Sequence, residues 1–159
     1  MACSIVSTRL DYCNSLLYGT SHKNIQRLQR VQNTLARVVT GTRKYDHIKP
    51  VLRELHWLPV RQRIDYKVAL ITHKVLHTNQ PQYLNSLITE YKPSRQLRSE
   101  SKRQLVKPTG LLTAIGHRTF TRASEKVWNN LTEDIRLSET IHIFKSRLKT
   151  HLFKVALCL

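Results

Sequence analysis

Between residues 23 and 45 the chain carries Lys23, Gln26, Arg27, Arg30, Asn33 and Arg37, followed directly by Arg43, Lys44 and Tyr45. Cations at these intervals can contact phosphates, and the tyrosine ring can stack on a base, so the pattern suits nucleic-acid binding. The competing reading is a solvated charged face on a helix whose other side packs. Overall charge favours the first: 27 Lys and Arg stand against 10 Asp and Glu in 159 residues, a formal +17 at pH 7. Such a chain repels itself unless anions neutralise it, which makes nucleic acid the first partner and an acidic membrane surface the second.

Other constellations fall short of a reaction centre. His73 and His77 are four apart, the helical spacing that lets two imidazoles share a zinc ion, but two ligands do not make a site and no HExxH motif is present. Two histidines on one polar helix edge are the expected reading. Cys3, Cys13 and Cys158 are few, odd in number and unpaired in spacing, which fits a reducing compartment. Asp11, Asp46, Asp65 and Asp134 are scattered, and the only adjacent acidic pair, Glu133 and Asp134, precedes a helix start, where it favours the helix dipole. Four glycines leave no phosphate-binding glycine loop and no dinucleotide fingerprint. The chain on its own is therefore expected not to be an enzyme, and no metal or cofactor is expected.

The elements that must carry the basic residues are helical. Val6, Leu10, Cys13 and Leu17 predict a helix over 4–18 stopped by Gly19. Ser21 opens a second, over 21–40, with Ile25, Leu28, Val31, Leu35 and Val38 on the packing arc. Lys23, Arg27, Arg30 and Arg37 fall on the opposite arc, and Gly41 lies beyond the end. A short helix is predicted over 46–57 with Pro50 near its start. Another over 59–77 has Val60, Ile64, Val68, Ile71 and Val75 on one arc, and a last turn runs from Pro81 to Leu87. From 89 to 110 the periodicity vanishes. Lys92, Arg95, Arg98, Lys102, Arg103 and Lys107 there stand against Glu100 alone, which predicts a basic linker, with a nuclear address as its functional alternative. Gln104–Val106 and Leu111–Ile115 give a weak hairpin signal around Pro108 and Gly110. Helix returns over 119–131, and Ser138 is the expected cap of a final helix with Ile141, Phe144, Leu148, Leu152 and Val155 on one arc. With 40% apolar residues the chain can bury a modest core. It has no apolar run of membrane-spanning length and no targeting peptide over Met1–Leu10, which reads as soluble and intracellular, not secreted.

Several long strings carry a family resemblance. RLDYCNSLLYG (9–19), LQRVQNTLARVVTGTRKYDHI (28–48), LRELHWLPVRQRIDYK (52–67), GHRTFTRASEKVWNNL (116–131) and FKSRLKTHLF (144–153) resemble, in one order, the region downstream of the catalytic core in reverse transcriptases of LINE-type, non-LTR retrotransposons of the jockey-like and chicken-repeat groups. The resemblance covers nearly the whole chain. It implies a parent polyprotein with an endonuclease and an RNA-directed DNA polymerase, whose Tyr-Ala-Asp-Asp-type catalytic motif would lie upstream of Met1. It also implies that residues 4–88 correspond to a helical thumb that grips template-primer and 111–159 to a C-terminal cap.

The expectation is thus a mainly α fold: an antiparallel, thumb-like helical cluster over 1–88, a basic linker over 89–110 and a smaller helical part over 111–159, with one short β-hairpin as an option. The expected function is non-catalytic binding of RNA or an RNA/DNA hybrid, with DNA as a further candidate, beside the rest of the parent polymerase and without a membrane. Lys23, Arg27, Arg30, Arg37, Arg43, Lys44, Arg95, Arg98, Lys102 and Arg103 are the expected contacts. The compartment would be that of a nuclear or cytoplasmic ribonucleoprotein. The alternative is a helical protein-interaction module that docks a partner through apolar arcs such as Val60, Ile64 and Val68.

Overall fold

The computed structural model describes residues 2–93, 103–110, 113 and 115–157. The fold is mainly α. Among the described residues there are eight α-helices: α1 (Ala2–Asp11), α2 (His22–Thr40), α3 (Ile48–Glu54), α4 (Val60–Thr78), α5 (Gln82–Asn85), α6 (Phe120–Asn129), α7 (Glu133–Arg136) and α8 (Ile141–Leu157). No sheet forms among them; one isolated antiparallel bridge joins Glu90 to Leu105. The chain divides into two compact units, one of residues 1–65 with 150–159 and one of residues 66–149. The boundaries fall inside α4 and α8, not at the composition shifts near 89 and 110.

In the first unit α2 packs against α1 and α3. Helix α1 ends earlier than the apolar spacing predicts, because Cys13 takes a left-handed conformation (φ 48°) and a 3-10 turn over Asn14–Leu17 follows. The predicted limits of α2 hold. The Ser21 carbonyl accepts from the N–H groups of Asn24 and Ile25, and Gly41, at φ 69°, ends the helix where a side chain would strain it. Its buried face is rotated from the predicted arc: Gln32, Leu35 and Ala36 are buried, whereas Val31 and Val38 are exposed.

Two neighbours cause that rotation. Ala36 sits with Val51 and Leu52 of α3, packed by Ile48, Leu55 and Trp57, and its small side chain admits α3 closely. The turn into α4 presents backbone groups that need partners. Gln32 Nε2 donates to the Leu58 carbonyl at 2.8 Å, and Gln29 Oε1 accepts from the Val60 N–H at 2.8 Å, satisfying one of the orphan donors of α4. Gln29 Nε2 donates in turn to Gln32 Oε1 and Asn33 Oδ1. Arg63 donates from Nε to the Leu58 carbonyl and from Nη1 to both Asp11 carboxylate oxygens, at 2.9 and 3.0 Å.

Helix α3 is shorter than predicted. His56 reverses the chain at φ 53°, its N–H bonds the Arg53 carbonyl and the Trp57 N–H bonds that of Leu52. This is a Schellman closure with histidine in the glycine place. Along α4, Val60, Ile64, Val68 and Val75 are buried as predicted. Val60, Ile64 and Val68 therefore cannot dock a partner, which corrects that part of the interaction-module expectation.

The second unit buries Val68, His73, Val75, Ala123, Trp128, Leu131, Ile135, Phe144 and Leu148. Gln104–Val106 does pair, but with 89–91: the Tyr91 N–H donates to the Gln104 carbonyl at 2.7 Å and the Val106 N–H to the Thr89 carbonyl at 2.9 Å. Asn129 of α6 acts as a one-residue strand on the other side, its Oδ1 accepting from the Leu105 N–H and its Nδ2 donating to the Leu105 carbonyl. Of the other segment of the expected hairpin, Leu111, Leu112 and Ala114 lie outside the described residues.

Glu133 and Asp134 occupy the first turn of α7, where acidic residues complement the helix dipole. The cap of α8 is Thr140 and not Ser138: the Thr140 carbonyl accepts from the Phe144 N–H and its hydroxyl from the Ile143 N–H. Ser138 is buried, donating to the Asp134 carbonyl. Of the arc expected on α8, Phe144, Leu148 and Leu152 are buried and Val155 is exposed.

Candidate nucleic-acid interface

Lys23, Arg27 and Arg30 lie on the exposed side of α2. At 1.5 Å rise per residue the three span about 10 Å of helix axis. Among the described residues none of them forms an ion pair, so their charge is available to an anion. Helix α2 then delivers the chain through Gly41 into a structured loop. The hydroxyls of Thr40 and Thr42 lie 2.6 Å apart, the Arg43 N–H donates to Asp46 Oδ2 at 3.2 Å, and the Asp46 N–H donates back to the Arg43 carbonyl. This closed turn presents Arg43, Lys44 and Tyr45 to solvent. Tyr45 is 91% exposed, with the Lys44 ammonium 5.9 Å from its ring centroid. An aromatic side chain held so far out of any core is a ready surface for stacking.

Arg37 sits between these two basic groups and has a different job. It is half-buried, and its Nη2 donates to the Asp46 carbonyl at 3.2 Å, while Nε is buried without a partner. The side chain braces the loop instead of joining the free cations. Arg37→Gln, which keeps a donor for Asp46, is expected to leave the salt dependence of nucleic-acid binding unchanged. Arg27→Gln is expected to lower the log–log salt slope by about one, as loss of a phosphate contact does. Titrations of both variants across salt concentration check this.

Arg103 belongs to the second unit, where its Nη2 pairs with Glu90 Oε1 at 3.1 Å and its Nη1 donates to His77 Nε2 at 3.2 Å. Its carbonyl accepts from Trp128 Nε1 at 2.7 Å. That guanidinium is committed to the fold. Arg95, Arg98 and Lys102 lie outside the described residues. Lys49 and Arg53, both exposed on α3, are two further cations outside the expected set. Their i,i+4 spacing is the signal that would have found them.

His73 and His77 do not share a polar helix edge as expected: His73 is buried, and the two rings stack. Their ring centroids are 4.1 Å apart, and His73 stacks in turn on Phe144 at 4.1 Å. Among the described residues no group of three or more His, Cys, Asp or Glu is placed to hold a metal ion. His73 is 2% exposed; its Nε2 donates to the Ser138 carbonyl at 3.2 Å and its Nδ1 has no partner. Burial pushes its pKa below the ordinary 6.5; the Ser138 hydrogen bond opposes this, and the His77 and Arg103 charges add to it. Burial and Arg103 likewise lower His77, against Glu90.

An unfolded His73 takes up a proton near pH 6.5 and the folded one only at lower pH, so its contribution is complete above pH 6.5 and is lost as pH falls below it. The slope is at most about 1.4 kcal/mol per pH unit for one proton. Urea unfolding between pH 7.5 and 5 is expected to show a shallower decline in His73→Phe than in the wild type. Equal declines would mean that another group carries the dependence.

No helix among the described residues is long and apolar enough to cross a membrane. Comparison of the chain with family models, with curated proteins and with solved structures gives no match.

Proposed function

We propose that this chain is a non-catalytic, C-terminal part of a retrotransposon RNA-directed DNA polymerase. It binds RNA or an RNA/DNA template-primer through phosphate contacts from α2 and the loop that follows it, within a nuclear or cytoplasmic ribonucleoprotein. The observation that carries the binding is the uncompensated set Lys23, Arg27 and Arg30, continued by Arg43, Lys44 and Tyr45 on a braced turn. The chain's +17 balance supports it, since an anionic polymer releases the self-repulsion. Assignment to a retroelement polymerase rests on the ordered sequence strings alone.

Exposed apolar side chains support a larger parent. Tyr12 and Leu16 are each 75% exposed and Ile5 is 59% exposed, all in the first unit, as expected of a surface that meets the rest of a polymerase. The same three residues favour a second reading, a helical module whose partner is another protein and whose basic face is incidental.

Fluorescence anisotropy on an RNA hairpin, an RNA/DNA hybrid and a DNA duplex, each titrated across salt concentration, separates the two. Binding that falls steeply with salt and favours the hybrid supports the template-primer reading. Absence of binding at moderate salt removes it.

A further inference from the structure

In the second unit the segment after α4 frames an open groove of about 830 Å³. That is within the roughly 300–1,000 Å³ typical of small-ligand sites. Leu76, Ile88, Asn79, Asn85, Tyr91 and Lys92 are among the residues that line it. Tyr91 is 49% exposed, yet its backbone is fixed by the 2.7 Å bond to the Gln104 carbonyl. A ring on a fixed backbone loses little freedom when a flat ligand stacks on it.

The charge of the groove is selective. Glu90 on its wall is neutralised by Arg103, whereas Lys92 has no ion pair among the described residues. The groove therefore favours an anion. Apolar side chains, an exposed aromatic ring, two asparagines whose amides can both donate and accept, and an ammonium without an ion pair among the described residues together complement a planar heterocycle that carries phosphate.

We propose that this groove binds a nucleotide, with the base on Tyr91, the base edge hydrogen-bonded by Asn79 and Asn85, and the phosphate at Lys92. A free mononucleotide and an unpaired residue within a strand share this chemistry. The site differs from the α2 surface in its residues and in what it reads: α2 contacts the backbone charge of a polymer, and the groove holds one base. It does not depend on the α2 reading.

The test uses the full chain and fluorescein-labelled octauridine, with UMP and AMP as competitors. Displacement by a mononucleotide assigns the groove to free nucleotides; octauridine binding without such displacement assigns it to a strand. Tyr91→Ala is expected to weaken octauridine binding about tenfold and Tyr91→Phe to keep it within about twofold. Lys92→Gln is expected to reduce the salt slope by about one. A wild-type measurement runs alongside: octauridine carrying 4-thiouridine is photo-crosslinked and the modified peptide mapped, the expected peptide containing Tyr91. The proposal is overturned if folded wild-type chain does not bind octauridine. It is equally overturned if Tyr91→Ala melts like the wild type and binds unchanged, or if crosslinks map to α2 alone. In a Lys23, Arg27 and Arg30 charge-reversed background the Tyr91 effect is expected to persist, so failure of either site is visible without the other.

Discussion

Replacing Lys23, Arg27 and Arg30 together by Glu is expected to reduce affinity for an RNA/DNA hybrid by about 10²- to 10³-fold at 50 mM salt. Each cation that neutralises a phosphate contributes about 0.7 to 0.9 to the log–log salt slope, so losing three should flatten it by about two to three. Direct repulsion between the new carboxylates and phosphates adds to the loss. The fold should be spared, because all three side chains are exposed. Surface changes of this kind are usually within about 0.5 kcal/mol, and Glu in place of Lys23 adds a favourable charge in the first turn of α2. Anisotropy titrations with a melting curve for each variant measure both quantities. Arg61→Glu with Lys74→Glu is the control, since both residues are exposed and belong to α4, not to α2 or its loop. If the control loses affinity as steeply per charge, binding follows net charge and α2 is not the interface.

Phe144→Ala is expected to destabilise the second unit by about 3–5 kcal/mol, a large share of the roughly 5–15 kcal/mol that holds a domain together. Phe144 is fully buried, stacked on His73 at 4.1 Å and on Trp128 at 5.8 Å, so truncation opens a cavity between two aromatic neighbours that cannot close over it. Trp128 fluorescence during urea unfolding reports the loss, in a Trp57→Phe background that leaves one indole. Ile143→Ala on the same helix is the comparison. Ile143 is 44% exposed, so its truncation should cost under about 1 kcal/mol. A similar cost for both would mean that helix propensity, and not the aromatic stack, limits stability.

Much of the helical frame was legible without coordinates. The limits of α2 followed from Ser21 and Gly41, the buried positions of α4 from a regular apolar arc, and the basic face from the spacing of Lys23, Arg27 and Arg30. The ends of α1 and α3 were not legible. Nothing in the residue types at Cys13 or His56 announces a left-handed conformation, since glycine is the residue that adopts it without cost.

Local pattern determines helix and charge because both depend on residues a turn or two apart. Which residues of a face are buried and which cations are free depends on what arrives from elsewhere in the chain. The Leu58–Val60 backbone drew Gln29 and Gln32 inward and left Val31 and Val38 in solvent. The Asp46 carbonyl claimed Arg37; Glu90 and His77 claimed Arg103. Gln104–Val106 found its backbone partners in the Thr89–Tyr91 segment, at the start of the stretch whose periodicity vanishes. The sequence by itself determined that this is a helical, strongly cationic chain with a basic α2. Only the tertiary structure decided which of those cations stay available to a ligand, because a buried polar group must find a partner and the partner's position is a property of the whole fold.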